Sequence, residues 1–413
     1  MSRAFRLLVL IGLLFSEGCS SLAPLLTTPT PAPVIQSTST PETIPTPTEP
    51  SGPQARILRV WLPPRFDPNA GTGAGALLQQ RLAEFEANHP GLKIEIRIKA
   101  EDGETGLLDS LSITSNAAPA ALPDLVALPR PALESAALKG LLHPIDGLST
   151  ALQDPDWYGY ARDLGHVQNI GYGLPFAGDA MVLLYRSEIE DGVSWNTIFS
   201  SKRSLSFPAG DPQALFMLSL YVSAGGEMVD ANGLPTLNQE ALTRVLSWVE
   251  DGIAAKSILP SVKNIATYEY AASAYRSGSA DVVIVWTSAD LPAGLLAPVP
   301  GLDGSDHSFA TGWAWALAGA NPENQQLAIQ LAEYLTADSF IIEWTRETGW
   351  LPTRPSSGGV GETSIAQVAE SAFVMPSEEV IVVLGPLLQE ALSRVLNGEQ
   401  PEVVAGSVIE KLK

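Results

Sequence analysis

The sequence predicts an α/β protein with mostly parallel sheets, and three observations carry that prediction. Apolar runs of strand length alternate with amphipathic helical stretches from Arg56 to Lys413. The first alternation already reads as a βαβ unit, which requires a parallel strand pair joined by a right-handed crossover. Hydrophobic residues make up 45% of the 413-residue chain and charged residues only 17%, enough apolar mass to fill the cores of two domains.

Two segments precede that region. In "MSRAFRLLVLIGLLFSEGCSS", Arg3 and Arg6 stand before an apolar run from Leu7 to Phe15. The run is too short for a permanent membrane span and suits an export signal, taken as residues 1–19. Cys19 is the only cysteine, so no intrachain disulfide can form. Residues 20–53 then turn rich in Pro, Thr and Ser, a composition that cannot bury apolar surface and reads as an extended linker or stalk.

The elements of the globular part follow in order. In "RILRVWLPP", Ile57, Leu58, Val60 and Trp61 make a strand stopped by prolines. The loop "GTGAG" at 71–75 lacks the lysine of a phosphate loop and reads as a flexible segment. Leu78, Leu82 and Phe85 recur at helical spacing, the helix stops at His89, Pro90 and Gly91, and a strand follows through Ile94, Ile96 and Ile98. "LLDSLSITSN" is expected to be helical, "PDLVALP" a buried strand, and "PALESAALKGLLHPIDGL" a helix with a glycine stop.

The "GYGLPFAGDAMVLLYR" segment reads as a strand, a break at Gly178 and Asp179, and a second strand. Two amphipathic helices, "PQALFMLSLYVSAGG" and "QEALTRVLSWVEDGI", precede the apolar strand in "SADVVIVWTSA". If "TGWAWALAG" is a strand, Trp313, Trp315 and Leu317 share one face. Two helices within 323–349 and a helical tail from about Glu378 complete the chain.

Charge and motifs exclude several functions. With 24 basic and 45 acidic residues the formal net charge is −21, so nucleic acid is excluded as a partner. The four histidines are isolated, without the spacing of a metal site. No G-x-S-x-G elbow follows a strand, and no cofactor is expected.

Several stretches, collinear along the chain, carry a resemblance. They are "FEANHPGLKIEI", "LPDLVAL", "ALKGLLHPIDGL", "YGLPFAGDAMVLLYR" followed by "SWNTIF", "AYRSGSADVVIVW", "NQQLAIQLAEYLTADSFIIEW" and "GWLPTRPSS". Together they resemble the extracellular solute-binding proteins of ABC importers, in the sugar-binding, maltose-binding-protein-like group. Two cleft segments depart from the group's pattern, at Tyr185-Arg186-Ser187 and at Val285-Trp286-Thr287.

The resemblance implies a two-lobed periplasmic-binding-protein-like fold of type II with the ligand cleft between the lobes. Lobe 1 would hold 54–178 plus 308–347 and lobe 2 would hold 179–307 plus 348–413. It implies a monomeric receptor, not an enzyme, that captures a small solute, most naturally a carbohydrate, by hinge closure and delivers it to ABC permease subunits. Cys19 resembles the lipidated cysteine of bacterial lipoproteins, which implies a lipid anchor on the outer face of the cytoplasmic membrane, or else a periplasmic location. The alternatives are an exported glycoside hydrolase, which needs two carboxylates roughly 5 to 9 Å apart, and a carbohydrate sensor on the cell surface.

Sugars offer apolar C–H faces and a rim of hydroxyls, so a sugar site needs aromatic platforms with carboxylates at their edge. Nine tryptophans supply candidates. Trp61 and Trp286 end strands, where α/β sites form; each fits a ligand-facing or a core place. Trp313 begins its strand and is expected to meet ligand, whereas Trp315 is expected in the core. Trp350, at an implied lobe crossing, fits a cleft-facing or a hinge-packing place. The polar candidates are Asp67, Asp124 and Asp179, with Tyr172, Tyr185 and Arg354 behind them.

Overall fold

The βαβ unit at the start of the globular region is present in the computed structural model, which describes residues 56–357 and 363–412. Cys19 and the linker lie outside the described residues. β1 (Arg56–Leu62) leads through α1 (Gly73–Asn88) to β2 (Leu92–Ile98), and the two strands pair in parallel with Val60 opposite Ile96. The segment read as a flexible loop at 71–75 instead starts α1, because Thr72 caps the helix by accepting the Gly75 N–H. α2 (Leu107–Ala117) and β3 (Leu125–Pro129) follow, β3 parallel to β1 on its other side.

α3 (Arg130–Leu138) stops well short of the expected length, since Gly140 adopts a φ of +67° and turns the chain away. After α4 (Gly159–Leu164) and the short pair β4 (His166–Val167) and β5 (Ile170–Gly171) comes the long strand β6 (Gly173–Tyr185). No break occurs at Gly178 and Asp179, because tertiary partners keep both residues extended. Gly178 exchanges backbone hydrogen bonds with Leu351 at 3.0 and 2.7 Å, and an ideal Cβ on it would stand 2.1 Å from the Tyr160 hydroxyl. Only glycine fits there.

The second half of the chain adds α5 (Trp195–Ser200), β7 (Leu205–Ser206), α6 (Leu215–Ser223), α7 (Gln239–Ala254), α8 (Tyr268–Arg276), β8 (Val282–Trp286) and β9 (Leu295–Pro298). β10 (Ser308–Leu317) then returns to the first sheet, followed by α9 (Pro322–Leu335) and α10 (Asp338–Thr348). α11 (Thr363–Ser371), β11 (Ala372–Val374), α12 (Glu378–Leu396) and α13 (Pro401–Leu412) finish the fold.

Strands run in the order β2-β1-β3-β10-β6-β8-β7, with β11 beside β10 and β9 beside β6. The sheet is mixed. Parallel pairs occur toward its ends, in β1 with β2 and β3 and in β7 with β8, and at the centre between β10 and the short β11, while β10 runs antiparallel to both β3 and β6, and β6 antiparallel to β8 and β9. Apolar patterning distinguishes buried strands from exposed ones but carries no direction, so the two returning strands at the centre were not legible as antiparallel.

β6 joins the two lobes: residues 180 and earlier pair with β10, residues 181–185 with β8. Both of its faces are buried. Val182 and Leu184 extend the first core, which packs α1, α2, α3, α9 and α10 on β1, β3 and β10 and reaches α8. Met181 and Leu183 enter a second core formed with α5, α6, α7, α12 and α13. Each fully buried leucine or valine contributes about 1.5 to 3 kcal/mol, which explains why this strand is apolar at successive positions rather than alternating. Among the described residues no helix is long and apolar enough to cross a membrane.

Candidate functional site

A cavity of about 970 Å³ opens between the two lobes. One wall comes from the first lobe: the 101–106 loop and the start of α2, the end of β3 with the start of α3, and Thr311 and Trp313 of β10. The facing wall is made by the 211–215 segment at the start of α6, by 266–268 at the start of α8, by Trp286 at the end of β8, and by the start of α12. Five helices therefore begin at the cavity. Strands and loops that deliver the chain to one edge of a sheet, followed by helices that lead away from it, place helix starts and loops around a common crevice.

Four of those five helix starts share a second property, the exception being α8, which Thr267 caps by accepting the Tyr270 N–H. The residues preceding α2, α3, α6 and α12 (Gly106, Pro129, Ala214 and Ser377) make no side-chain cap, whereas α1, α5, α7 and α9 are capped by Thr72, Ser194, Asn238 and Asn321. The first N–H groups of a helix have no intrahelical acceptor, so the four uncapped starts offer donors to whatever occupies the cavity, apart from the Leu107 N–H, which the Ala100 carbonyl takes at 2.9 Å, and Pro131 in the first turn of α3, which has none. Carboxylates on the same walls, among them Asp109, Glu134, Asp211 and Glu378, offer acceptors.

Close packing shapes the second wall. At Gly385 in α12 an ideal Cβ would stand 2.4 Å from the Pro212 carbonyl oxygen and 2.7 Å from that of Gln213, so the missing side chain lets the 211–215 segment lie against the helix. Ala214, at φ +47°, takes a left-handed conformation to enter α6. Asp211 accepts the Gln213 N–H at 2.9 Å, and burial raises its carboxyl pKa above the usual value. The Tyr268 hydroxyl is fully buried and has no hydrogen-bond partner among the described residues; burial first, then the charge of Asp211, raises its pKa well above the usual value.

On the first wall Arg130 donates to the carbonyls of Asp163, Leu164 and His166, and burial lowers its pKa against the opposing charge of Glu134. Arg65 grips Glu101 with both ends of its fork, at 2.5 and 2.6 Å. Its guanidinium also lies 5.4 Å from the centre of the Trp313 ring and 5.6 Å from that of Trp350.

Of the ten candidates singled out from the sequence, Trp286 and Trp313 line the cavity together and the other eight, Tyr172, Tyr185 and Arg354 among them, do not. Trp313 is 5% exposed, edge-on to Phe66 at 5.1 Å, while Trp286 is half-buried, with the Tyr268 ring edge-on at 5.8 Å. Trp61 stands one residue before the end of its strand and is 2% exposed, in the first core, with the Lys99 ammonium 4.8 Å from its ring. Asp67 folds back in a turn, accepting the Asn69 N–H.

Asp124 stands before the first residue of β3, at the end opposite to Pro129, which reaches the cavity. Its two oxygens accept the Arg59 N–H at 2.7 Å and the Asn324 amide at 3.0 Å, tying β1, β3 and α9 together. Asp179 is buried and accepts from Thr287 Oγ1, Ser288 N and Ser288 Oγ at 2.9, 2.9 and 2.6 Å. Burial raises its pKa and these donors oppose the rise. Trp350 packs against Phe66 at 6.0 Å. Trp315, expected in the core, stacks on Phe176 at 4.5 Å.

Sequence reading missed Asp211, Tyr268, Arg130, Glu134 and Glu378. Thr267 is a legible helix cap in front of Tyr268, yet nothing in the sequence says that this helix start faces α2 and α3. Among the described residues no group of three metal-ligating side chains comes together.

Comparison with known proteins adds to this geometry. The profile of the bacterial extracellular solute-binding protein family matches residues 69–339. No curated protein matches the chain by sequence. Among solved structures, the GacH receptor of Streptomyces glaucescens, determined unliganded and with acarbose, is similar with a TM-score of 0.61 at 19% identity, over 87% of this chain and 98% of that one. The cyclic α-maltosyl-1,6-maltose binding protein from Arthrobacter globiformis gives 0.68 at 15% identity, over 86% and 98%. UgpB from Mycobacterium tuberculosis, in complex with glycerophosphocholine, gives 0.62 at 15%, over 86% and 97%.

Proposed function

This chain belongs to the bacterial extracellular solute-binding protein family, and on that premise we propose that its solute is a carbohydrate, held between the two lobes and passed to an ABC-type membrane permease. One observation carries this reading. Uncapped helix starts and carboxylates face each other across a cavity that also holds the half-buried Trp286 ring. A sugar hydroxyl both donates and accepts, so it suits walls that offer N–H donors and carboxylate acceptors in alternation, while its C–H face suits an indole. The carboxylates disfavour a strongly anionic solute. The ligands named for the GacH receptor and the Arthrobacter protein are consistent with it.

Capture works by population shift. A solute that touches both walls binds the closed arrangement more tightly than the open one, and only that difference drives closure. The lobes that move are taken as 54–178 plus 308–347 and 179–307 plus 348–413, turning about the crossings near Gly178, near Ser305 to Phe309 and near Gly349. The protein works as a monomer without turnover, tethered through a lipid on Cys19 and held off the membrane by residues 20–53. No observation favours a hydrolase.

A thermal-shift screen against mono- and oligosaccharides, polyols and amino acids tests the reading, since a solute that binds only the folded state raises its melting temperature. The expected result is a rise with one sugar class that Trp286→Ala abolishes. A rise with amino acids alone would sink it.

A further inference from the structure

The charges on the cavity walls do not balance. Six carboxylates, those of Glu101, Asp102, Asp109, Glu134, Asp211 and Glu378, face one guanidinium, that of Arg130. Arg65 takes up Glu101, and Arg130 stands 4.0 Å from Glu134. Among the described residues no cation lies within ion-pair distance of Asp102, Asp109, Asp211 or Glu378. Five helix starts carry about half a positive charge each, about 2.5 in all, which leaves part of the charge of these four carboxylates unbalanced.

The surplus has a focus. A backbone hydrogen bond from Gly210 N to the Ile265 carbonyl, 2.8 Å, holds the segment bearing Asp211 against the start of α8, so that the carboxylate adds its field to the Tyr268 phenol. Its hydroxyl is buried without a partner among the described residues, and the Trp286 ring meets the Tyr268 ring edge-on, 71° between planes. Two aromatic rings set nearly perpendicular beside an uncompensated, half-buried carboxylate form an environment that attracts an ammonium group through both ring quadrupole and charge. A neutral hydroxyl gains neither.

From this geometry we propose that the solute carries a protonated amine, seated against Trp286, Tyr268 and Asp211, which makes its class an amino sugar rather than a neutral one. The proposal rests on the carbohydrate reading above for the rest of the solute. The amine would supply the counter-charge that the second wall lacks, and the remaining hydroxyls would meet the uncapped starts of α2 and α3 opposite.

Titration calorimetry on the purified protein at about pH 6, where amines are charged and surface carboxylates ionised, tests it with four probes. They are the glucosamine tetramer, its N-acetylated counterpart, maltotetraose and choline chloride. The glucosamine tetramer is expected to bind at least tenfold more tightly than the N-acetylated tetramer and maltotetraose, and Asp211→Asn to erase that preference. Should that variant fail to fold, Trp286→Leu, which leaves the Asp211 segment intact, must erase it instead. Maltotetraose binding as tightly as the glucosamine tetramer overturns the amine while leaving the carbohydrate reading in place. Choline binding with no oligosaccharide binding upholds the amine seat and overturns the carbohydrate. Failure of every amine probe to bind overturns the proposal.

Discussion

Trp313 and Trp286 stand on opposite walls of one cavity, each carried by a strand, and their surroundings differ in kind. Trp313 is held by Phe66 edge-on and by the Arg65 guanidinium, which Glu101 fixes in turn, and it retains 5% of its surface. Trp286 is half-buried and, among the described residues, has one aromatic neighbour, Tyr268. The first indole is therefore part of the wall's structure and the second is available to a solute. Lining a cavity and serving as a platform are separate properties, and the neighbours decide between them.

Substitutions can break this contrast. The largest expected effect is that of Trp313→Ala, which empties a packed site and should cost about 3 to 5 kcal/mol, lowering the melting temperature by on the order of 10 °C in a calorimetric scan. A shift of less than a degree or two would show that the ring is not a packing element. Asp124→Ala comes next. It strips the acceptor from the Arg59 N–H and the Asn324 amide, with an expected loss of about 2 to 3 kcal/mol in urea unfolding and no change in solute affinity; weakened binding at unchanged stability would place Asp124 in the site after all.

Trp286→Ala should reverse that pattern, with stability within about 1 kcal/mol of the parent and affinity reduced roughly 10- to 100-fold in a titration. Equal losses of stability in the two tryptophan variants would erase the distinction. The smallest effect belongs to Arg65→Gln, which removes a cation from over the Trp313 and Trp350 rings for about 0.5 to 1 kcal/mol and should shift tryptophan emission to the red. Emission and stability both unchanged would mean that Arg65 does not cover those rings.

Legibility in the sequence followed the range of the forces involved. α1 and β2 were readable because periodicity and the Pro90-Gly91 stop are local, and the apolar run of β8 announced Trp286 at its end. Gly178-Asp179 has the composition of a turn, but Leu351, Tyr160, Thr287 and Ser288 hold it extended, and all four come from distant segments. Trp61 stands one residue before the end of β1 and Trp286 ends β8, yet one is sealed into the first core and the other reaches the cavity. Strand-end position therefore locates an edge of the sheet and leaves the side chain's neighbours undetermined. Asp211 and Tyr268 met at the second wall through a single backbone hydrogen bond between loops, a contact without a local signature.

Hydrogen–deuterium exchange with and without the oligosaccharide that most raises the melting temperature tests most directly whether one solute is held by both lobes. The account predicts added protection in two groups of peptides at once, 101–109 with 130–135 on the first wall and 211–215 with 266–268 and 375–382 on the second. Protection confined to one wall, or appearing away from the cavity, would contradict it.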